Sequence, residues 1–141
     1  MPGAGNDSLV GGAGNDLIFG GDGGGDALTG SAGNDTFRFD AVGHSSFASP
    51  DTIVDFTVGD LISLSLIDAN ILASGDQAFS FIGSAAFSSA GAASAGQLRF
   101  QHHDAALWSI QGDTDGDGAA DLFLYVTVTD NDPITAADFV L

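Results

Sequence analysis

The sequence predicts an all-β protein in which a short parallel solenoid is followed by a sandwich-like β cap. The first observation is a nine-residue phrase that occurs four times near the start of the chain. The second is a remainder of short strand-like segments separated by turn residues. The third is the composition: 21 glycines and acidic residues that are all Asp, with neither Glu nor Lys, suit turns better than helices.

The opening repeats share a glycine-rich start, an aspartate at the sixth place and an apolar residue two places later. Such a fixed short period predicts a stacked solenoid. The aspartates and the apolar residues both keep spacings of 9, 10 and 9 residues, a regularity that a flexible Gly/Asp-rich linker would lack. A three-residue strand with an inward apolar residue is expected after each aspartate. The repeats are PGAGNDSLV (2–10), GGAGNDLIF (11–19), GDGGGDALT (21–29) and GSAGNDTFR (30–38), with Gly20 inserted.

The repeats also predict calcium sites between stacked turns. Glycine permits positive φ, so the turns can point carbonyl oxygens inward, and each aspartate adds a carboxylate. Ligands that are all oxygen, in a flexible geometry, favour several Ca2+ ions over Mg2+. Because two repeats complete one coil, we expect Asp7 to share a site with Asp26, and Asp16 with Asp35. The candidate ligands in the repeats are Asp7, Gly11, Gly12, Ala13, Gly14, Asp16, Gly21, Gly23, Gly24, Asp26, Gly30, Ala32, Gly33 and Asp35.

The chain after residue 40 is predicted to form an all-β C-terminal cap that covers the apolar end of the solenoid. We therefore divide the chain into calcium-binding repeats at 1–40 and a cap at 41–141. Loops are expected at 41–50 and 87–96, a short helical turn at 68–73, and a helix N-cap at Thr135. Strands are expected at 36–40, 51–56, 61–67, 78–82 and 122–129, with a hairpin formed by 97–102 and 106–111.

The segment 113–121 is a second candidate for metal binding. It has acids at places 1, 3, 5 and 9 and glycine at place 6, as in a calcium loop of the EF-hand type, but place 12 is Leu124 instead of Glu. A metal-free Asp-Gly hairpin turn is the alternative. The candidate ligands are Asp113, Asp115, Asp117, Asp121 and the carbonyl of Ala119.

Charge and missing motifs exclude several function classes. A formal net charge of −17 disfavours nucleic acid and anionic membranes as partners. No apolar run reaches the roughly 20 residues of a membrane span, and we expect no membrane insertion. The sequence has no cysteine, HExxH, GxSxG or P-loop motif, so we predict no catalytic activity. A start in phase with the repeat suggests a fragment of a longer protein, with any catalytic domain upstream, and a short natural protein is the alternative.

The remaining notable side chains have ordinary structural interpretations. Asp60 is interpreted, with the other isolated aspartates, as a turn cap. Arg38 and Arg99 are expected to pair with nearby aspartates. Trp108 and Tyr125 are interpreted as core or hairpin anchors in preference to a sugar-binding platform.

The repeats resemble the repeats-in-toxin (RTX) nonapeptide GGxGxDxUx, which implies a calcium-binding parallel β-roll. The rest resembles the C-terminal region of serralysin-type secreted metalloproteases, through AGNDTFRFD (32–40), DTIVDF (51–56), LIDAN (66–70), GDQAFSFIG (75–83), GQLRF (96–100), QGDTDGDGAAD (111–121) and TAADFVL (135–141). This resemblance implies a β-roll followed by a β-sandwich cap. It adds Asp51 as a candidate ligand, although His44 stands where relatives often carry a calcium-binding Asp.

The resemblance also implies a function. The C-terminal residues Asp138, Phe139, Val140 and Leu141 resemble an uncleaved type I secretion signal, and an ordinary final strand is the other interpretation. The implied protein is a module for calcium-dependent folding and type I secretion at the end of a bacterial extracellular serralysin-like protease or other exoenzyme. Its partners would be the ABC transporter of the secretion machinery and an upstream passenger domain. The alternative function is a calcium-dependent surface, adhesin or polysaccharide-binding module.

Overall fold

A computed structural model of the chain describes residues 3–88 and 93–141, so part of the loop predicted at 87–96 lies outside the described residues. Short 3-10 helices occupy Val42–His44 and Ala136–Asp138, and the remaining regular structure is β. None of the helices in the described ranges is long and apolar enough to cross a membrane. The strands are β1 (Ser8–Ala13), β2 (Leu17–Phe19), β3 (Ala27–Ala32), β4 (Thr36–Arg38), β5 (Asp51–Phe56), β6 (Leu61–Ser63), β7 (Ser80–Phe81), β8 (Gln97–His102), β9 (Leu107–Asp113), β10 (Leu122–Val128) and β11 (Phe139–Val140).

The strands form two sheets, and the predicted all-β fold with a parallel roll is confirmed. One sheet has the order β1-β3-β5-β10-β9-β8-β7, and the other has the order β11-β6-β4-β2. Each repeat supplies one strand, and successive repeats alternate between the sheets. Strands two repeats apart therefore pair in parallel, as in the registers Ser8↔Ala27 and Leu17↔Thr36.

The roll continues beyond the four repeats. Strand β5 pairs in parallel with β3, and β6 pairs in parallel with β4, so residues 51–63 form a third coil without the glycine-rich phrase. Strands β10 and β11 then extend the two sheets, again in parallel. Both sheets thus contain strands from before and after residue 40. The division of the chain into two parts at that residue stays a prediction.

Apolar rows inside the roll explain why the coils stack in this register. In the seven-stranded sheet, Leu9 lies beside Leu28, Leu28 beside Ile53, and Ile53 beside Val126. Leu28, Ile53 and Val126 are fully buried, while Leu9 at the open end is half-buried. The opposite sheet carries the corresponding row Ile18, Phe37, Ile62 and Phe139, and the two rows belong to a single core.

The cap follows the predicted strand pattern with shorter strands at several places. The antiparallel hairpin of β8 and β9 is confirmed, and β10 joins it in antiparallel fashion. The strands expected at 61–67 and 78–82 shrink to β6 and β7. In the segment 68–73, where one short helical turn is expected, the N–H of Ala73 donates to the carbonyl of Asn70 at 3.1 Å and closes a single turn. Asp68 accepts the N–H groups of Asn70 and Gln77 and so ties this turn to residue 77. Thr135 caps the second 3-10 helix, as predicted.

Candidate metal centre

The structure brings the turn aspartates together in a vertical stack on one side of the roll. The N–H of Asp7 donates to Oδ1 of Asp26 at 2.8 Å, and the N–H of Asp26 donates to Oδ1 of Asp51 at 2.8 Å. We call these three residues the first aspartate column. Each carboxylate is thereby fixed by the backbone of the coil before it, and the predicted proximity of Asp7 to Asp26 is present in the fold.

A second aspartate column lies on the opposite side. The N–H of Asp16 donates to Oδ1 of Asp35 at 2.9 Å, and the N–H of Asp35 donates to Oδ1 of Asp60 at 2.8 Å. The other oxygen of Asp60 accepts hydrogen bonds from the N–H (2.9 Å) and hydroxyl (3.2 Å) of Thr57. Asp60 therefore closes the column with both carboxylate oxygens already engaged.

The sequence interpretation missed Asp60 as a member of this column. The signal was present, because Asp51 and Asp60 are nine residues apart, as Asp26 and Asp35 are. Each of the later pair is also followed two residues on by an isoleucine, Ile53 or Ile62, which lies in the apolar rows. A search for the aspartate and apolar spacing without the glycines would have found the third coil.

Four carboxylate oxygens in these columns are buried and have no hydrogen-bond partner: Oδ2 of Asp7, Asp16, Asp26 and Asp51. Burial of an ionised oxygen without a partner is costly in free energy, and a cation beside each of these oxygens would offset that cost. Burial raises the pKa of Asp51 to about 7, assisted by the charge of Asp26 and opposed by the hydrogen bond from the Asp26 N–H. The donor chemistry, carboxylate and carbonyl oxygens at stacked turns, fits a hard cation such as Ca2+.

Glycines make room for these carboxylates. A Cβ at Gly20 would stand 2.7 Å from Oδ2 of Asp26 and 3.2 Å from Oδ2 of Asp51, so these two unpartnered oxygens flank the same glycine. A Cβ at Gly11 would lie 2.8 Å from Oδ2 of Asp16. The inserted Gly20, which interrupts the nine-residue period, thus leaves space for two acids of the first column.

The predicted carbonyl ligands lie in the stacked turns, and some of their oxygens are already in use. The N–H of Gly14 donates to the carbonyl of Ala32 at 2.7 Å, and a Cβ at Gly33 would stand only 2.1 Å from the carbonyl oxygen of Gly14. Asn15 supports the stack by accepting the N–H of Asn34 at 3.0 Å. Positive φ angles occur at six of the predicted ligands, Gly12, Gly14, Gly21, Gly23, Gly24 and Gly33, whereas Gly11, Ala13, Gly30 and Ala32 lie at the strand side of the turns.

His44 lies beside the first column without joining it. Its Nδ1 accepts the N–H of Asp40 at 3.3 Å, and its Nε2 is 2.9 Å from Oδ1 of Asp22. The N–H of Asp51 is instead held by the hydroxyl of Ser45 at 2.8 Å. Asp51 consequently keeps its place in the column with a histidine at position 44.

The loop 113–121 brings three of its four predicted acids together. One carboxylate oxygen from each of Asp113, Asp115 and Asp117 lies within 4.8 Å of the others. Asp113 is fully buried and accepts the N–H groups of Gly116 (2.7 Å) and Gly118 (2.9 Å), which fixes the loop around it. Oδ2 of the fourth acid, Asp121, accepts the hydroxyl and N–H of Thr114. Ala119 donates its N–H to Asp117, and its carbonyl stays a predicted ligand.

The last residues of the chain form an ordered strand. Asp138 accepts the N–H of Thr135 at 2.6 Å, and Phe139 is buried against Phe81 with ring centres 5.2 Å apart. Val140 pairs with Ser63 in β6, and Leu141 packs against the core. The interpretation of this segment as a final strand describes its folded state, and its role as a secretion signal stays a prediction.

A parallel β-roll with stacked turn aspartates at both edges is the architecture of an RTX-type module. The sequence pattern of the family described as "Peptidase M10 serralysin C terminal" matches residues 2–141. The chain therefore belongs to this family, the C-terminal, non-catalytic part of serralysin peptidases, as the sequence resemblance indicated.

A solved structure with the same fold is the solution structure of the AlgE6R3 subunit from the Azotobacter vinelandii mannuronan C5-epimerase. It is 22% identical to this chain, with a TM-score of 0.57 over 99% of this chain and 80% of that chain. That structure is of a subunit of the epimerase, and at this identity the likeness concerns the fold. The comparison with curated protein sequences gave no match.

Proposed function

We propose that this module folds when it binds Ca2+ and that it serves the export and extracellular folding of the protein to which it belongs. The observation that carries the proposal is the set of buried, unpartnered oxygens of Asp7, Asp16, Asp26 and Asp51 in the stacked columns. These groups oppose folding while they are ionised and bare. They favour folding once a cation lies between them.

The residues of the two columns would hold the ions together with the carbonyl oxygens of neighbouring turns. Bound Ca2+ supplies the positive charge that stacked carboxylates lack. The loop at Asp113, Asp115 and Asp117 would hold a further ion, more weakly because no bidentate Glu completes it. Extracellular calcium sites of this kind bind at about 10⁻⁴–10⁻³ M, far above the calcium level of a cytoplasm.

Linkage turns these sites into a switch between compartments. A ligand that binds only the folded state stabilises it by RT ln(1 + [L]/Kd), which is about 1.4 kcal/mol for each site at ten times Kd. Several sites together match the stability of a small domain, about 5–15 kcal/mol. The chain would therefore stay unfolded for passage through an ABC transporter and fold outside the bacterial cell.

The C-terminal position of the module suits this order of events. Residues 138–141 would act as the type I signal while unfolded and, once export is complete, form the end of the second 3-10 helix and the strand β11. The passenger upstream is proposed to be a serralysin-like protease or another exoenzyme. A surface, adhesin or polysaccharide-binding role is the alternative that the same fold allows.

The test is a calcium titration of chelator-treated protein, followed by far-ultraviolet circular dichroism and Trp108 fluorescence. Trp108 is buried in the cap, where it stacks on His102 with ring centres 4.2 Å apart, so its emission reports folding remote from the roll. We expect a cooperative coil-to-β transition at about 10⁻⁴–10⁻³ M Ca2+, absent with Mg2+. A chain already folded in EDTA would refute the switch.

A variant pair ties the transition to the columns. The substitution D26N removes a central charge of the first column, and we expect it to shift the calcium midpoint upward. D104N is the matched control, because Asp104 lies in an exposed hairpin turn and binds the N–H groups of Ala106 and Leu107. Equal midpoints for the two variants would show that the columns do not drive folding.

A further inference from the structure

The cap carries a cleft on the face of β8, β9 and β10 that points away from the main core. Alternate residues of these strands line it, and its volume is about 620 Å³, within the roughly 300–1,000 Å³ of small-molecule sites. Its floor is polar, with Gln101 and Gln111, and its walls are aromatic, with Phe47, Phe123 and Tyr125.

The polar floor is a connected network. Nε2 of Gln111 donates to Oε1 of Gln101 at 2.9 Å and to the hydroxyl of Ser109 at 3.0 Å. Nε2 of His103 lies 2.9 Å from the same hydroxyl. Ser109 is fully buried and Gln111 is 8% exposed, so these side chains are held in fixed positions. Fixed amides next to aromatic rings are the usual means of orienting a small polar ligand.

Arg99 is the arginine of this cleft, and it lacks the partner expected from the sequence. Arg38 pairs with Asp40, but none of the aspartates in the described residues lies within ion-pair distance of Arg99. Its guanidinium instead lies 5.6 Å above the ring of Phe87, and its buried Nε has no hydrogen-bond acceptor. In a chain with net charge −17, a cation without a counter-ion at the edge of a cleft is an unused site for an anion.

We propose that this cleft binds a saccharide that carries a carboxylate, that is, a uronate unit of an acidic polysaccharide. Arg99 takes the carboxylate, the amide of Gln101, which Gln111 holds in place, bonds a hydroxyl, and Tyr125 and the exposed ring of Phe47 cover the C–H face. A peptide fits less well, because β9 and β10 are paired on both sides and offer no free strand edge. β8 is paired with β9 along its length and with β7 at its first two residues.

One wall of the cleft makes this binding depend on calcium. Gly118, Ala119 and Ala120 line the cleft, and they belong to the loop that holds Asp115 and Asp117. An ion in the loop fixes this wall, and its removal loosens the cleft. This calcium dependence rests on the proposed function. Saccharide affinity is therefore expected to fall when calcium is withdrawn, even under conditions where the rest of the fold persists.

The test is isothermal titration of the whole calcium-saturated chain with tetragalacturonate and, for comparison, neutral maltotetraose. We expect tetragalacturonate to bind at least tenfold more tightly than the neutral sugar, and R99Q to lose at least tenfold in affinity. R38Q is the matched control, because it removes the other arginine, which lies outside the cleft. We expect R38Q to bind tetragalacturonate within twofold of the affinity of the unsubstituted protein.

A second variant guards against misfolding of R99Q. Phe47 is 74% exposed, so F47S should leave the dichroism spectrum unchanged and weaken uronate binding about threefold or more. Three results would overturn the proposal. The first is that tetragalacturonate does not bind, and the second is that R99Q and R38Q lose affinity for it equally. The third is that R99Q and F47S both keep full affinity for it. The last result would mean that the uronate binds outside this cleft. The binding test and the folding titration are independent. Calcium can induce folding in a protein that does not bind uronate, and a protein that is folded without calcium can still bind uronate.

Discussion

Gly33 is, like Gly24, a glycine at which the stacking of the roll leaves no room for a Cβ. Its φ is 146°, and a Cβ there would lie 2.1 Å from the carbonyl oxygen of Gly14 in the coil before it. Gly12 has a comparable φ of 118° but no atom within 4 Å of a Cβ. A comparison of substitutions at Gly33 and Gly12 therefore distinguishes the cost of backbone strain from the cost of steric overlap with the neighbouring coil.

We predict that G33A destabilises the calcium-bound fold more than G12A does. Strain at positive φ costs about 1–3 kcal/mol at either position. Overlap with Gly14 adds about 1–3 kcal/mol at Gly33 alone. Urea unfolding at saturating calcium measures the difference, and equal midpoints for the two variants would show that the coils are free to move apart.

The carboxyl group of Asp51 predicts a pH dependence of the calcium-free fold. Its pKa is raised by burial to about 7 from an ordinary value of 3.8, so the folded state binds a proton that the unfolded state releases at neutral pH. The stabilisation from that proton is complete below about pH 4 and is lost as the pH rises through 7. In EDTA, β structure should therefore be greater at pH 5 than at pH 8, as measured by circular dichroism.

The substitution D51N provides the check on this assignment. An amide does not ionise, so the difference between pH 5 and pH 8 should shrink in D51N. D55N is the control, since both oxygens of Asp55 already accept the N–H groups of Gly30 and Ser31. A pH dependence that is as steep in D51N as in the unsubstituted protein would place the titrating group elsewhere.

At the scale of single residues, the sequence predicted the column aspartates that lie in a glycine-rich repeat and missed Asp60, which does not. Asp26 and Asp35 are found from the period, whereas Asp60 belongs to a coil whose glycines are absent. The unpaired state of Arg99 was unpredictable for another reason. It depends on which face of β8 turns away from the aspartates, and that is decided by pairing between distant strands.

At the scale of elements, the loop 113–121 is built so that metal binding can be removed without loss of the surrounding hairpin. Asp113 is buried and holds two backbone N–H groups, while Asp115 and Asp117 are exposed. We predict that the double variant D115N/D117N binds one Ca2+ fewer by isothermal titration and retains the cooperative transition of the roll. If the double variant binds as many Ca2+ ions as the unsubstituted protein, the loop 113–121 is a metal-free turn.

Strand positions were easier to predict than strand lengths. The aspartate and apolar spacing places β1 to β4 correctly, but β1 and β3 run three residues further because the next repeat begins while the chain is still paired. The segment 68–73 contains one hydrogen-bonded turn, from Asn70 to Ala73, which does not extend into a helix because Asp68 binds the N–H of Asn70 and of Gln77. Side chains that compete for backbone hydrogens override weak local propensity.

At the scale of the whole molecule, the two sheets join the repeats to the cap in one structure. β5 and β6 have β3 and β4 as parallel partners, and the core includes Ile18, Leu28 and Phe37 from the repeats beside residues of the cap. A fragment of residues 41–141 loses these three side chains, and Phe39 with them, from its core. At about 1.5–3 kcal/mol each, their burial is comparable with the whole stability of a small domain.

We therefore predict that residues 41–141 alone remain unfolded in saturating calcium, with narrow amide dispersion in a proton–nitrogen correlation spectrum. Residues 20–141 form the matched control, because they keep β3 and β4 and lose only the first coil, and they should fold with fewer calcium ions bound. If the shorter fragment gives a dispersed spectrum and unfolds cooperatively, residue 40 is a true domain boundary, as the sequence predicted. The roll would then be an appendage to an independent cap, and calcium would control the appendage alone.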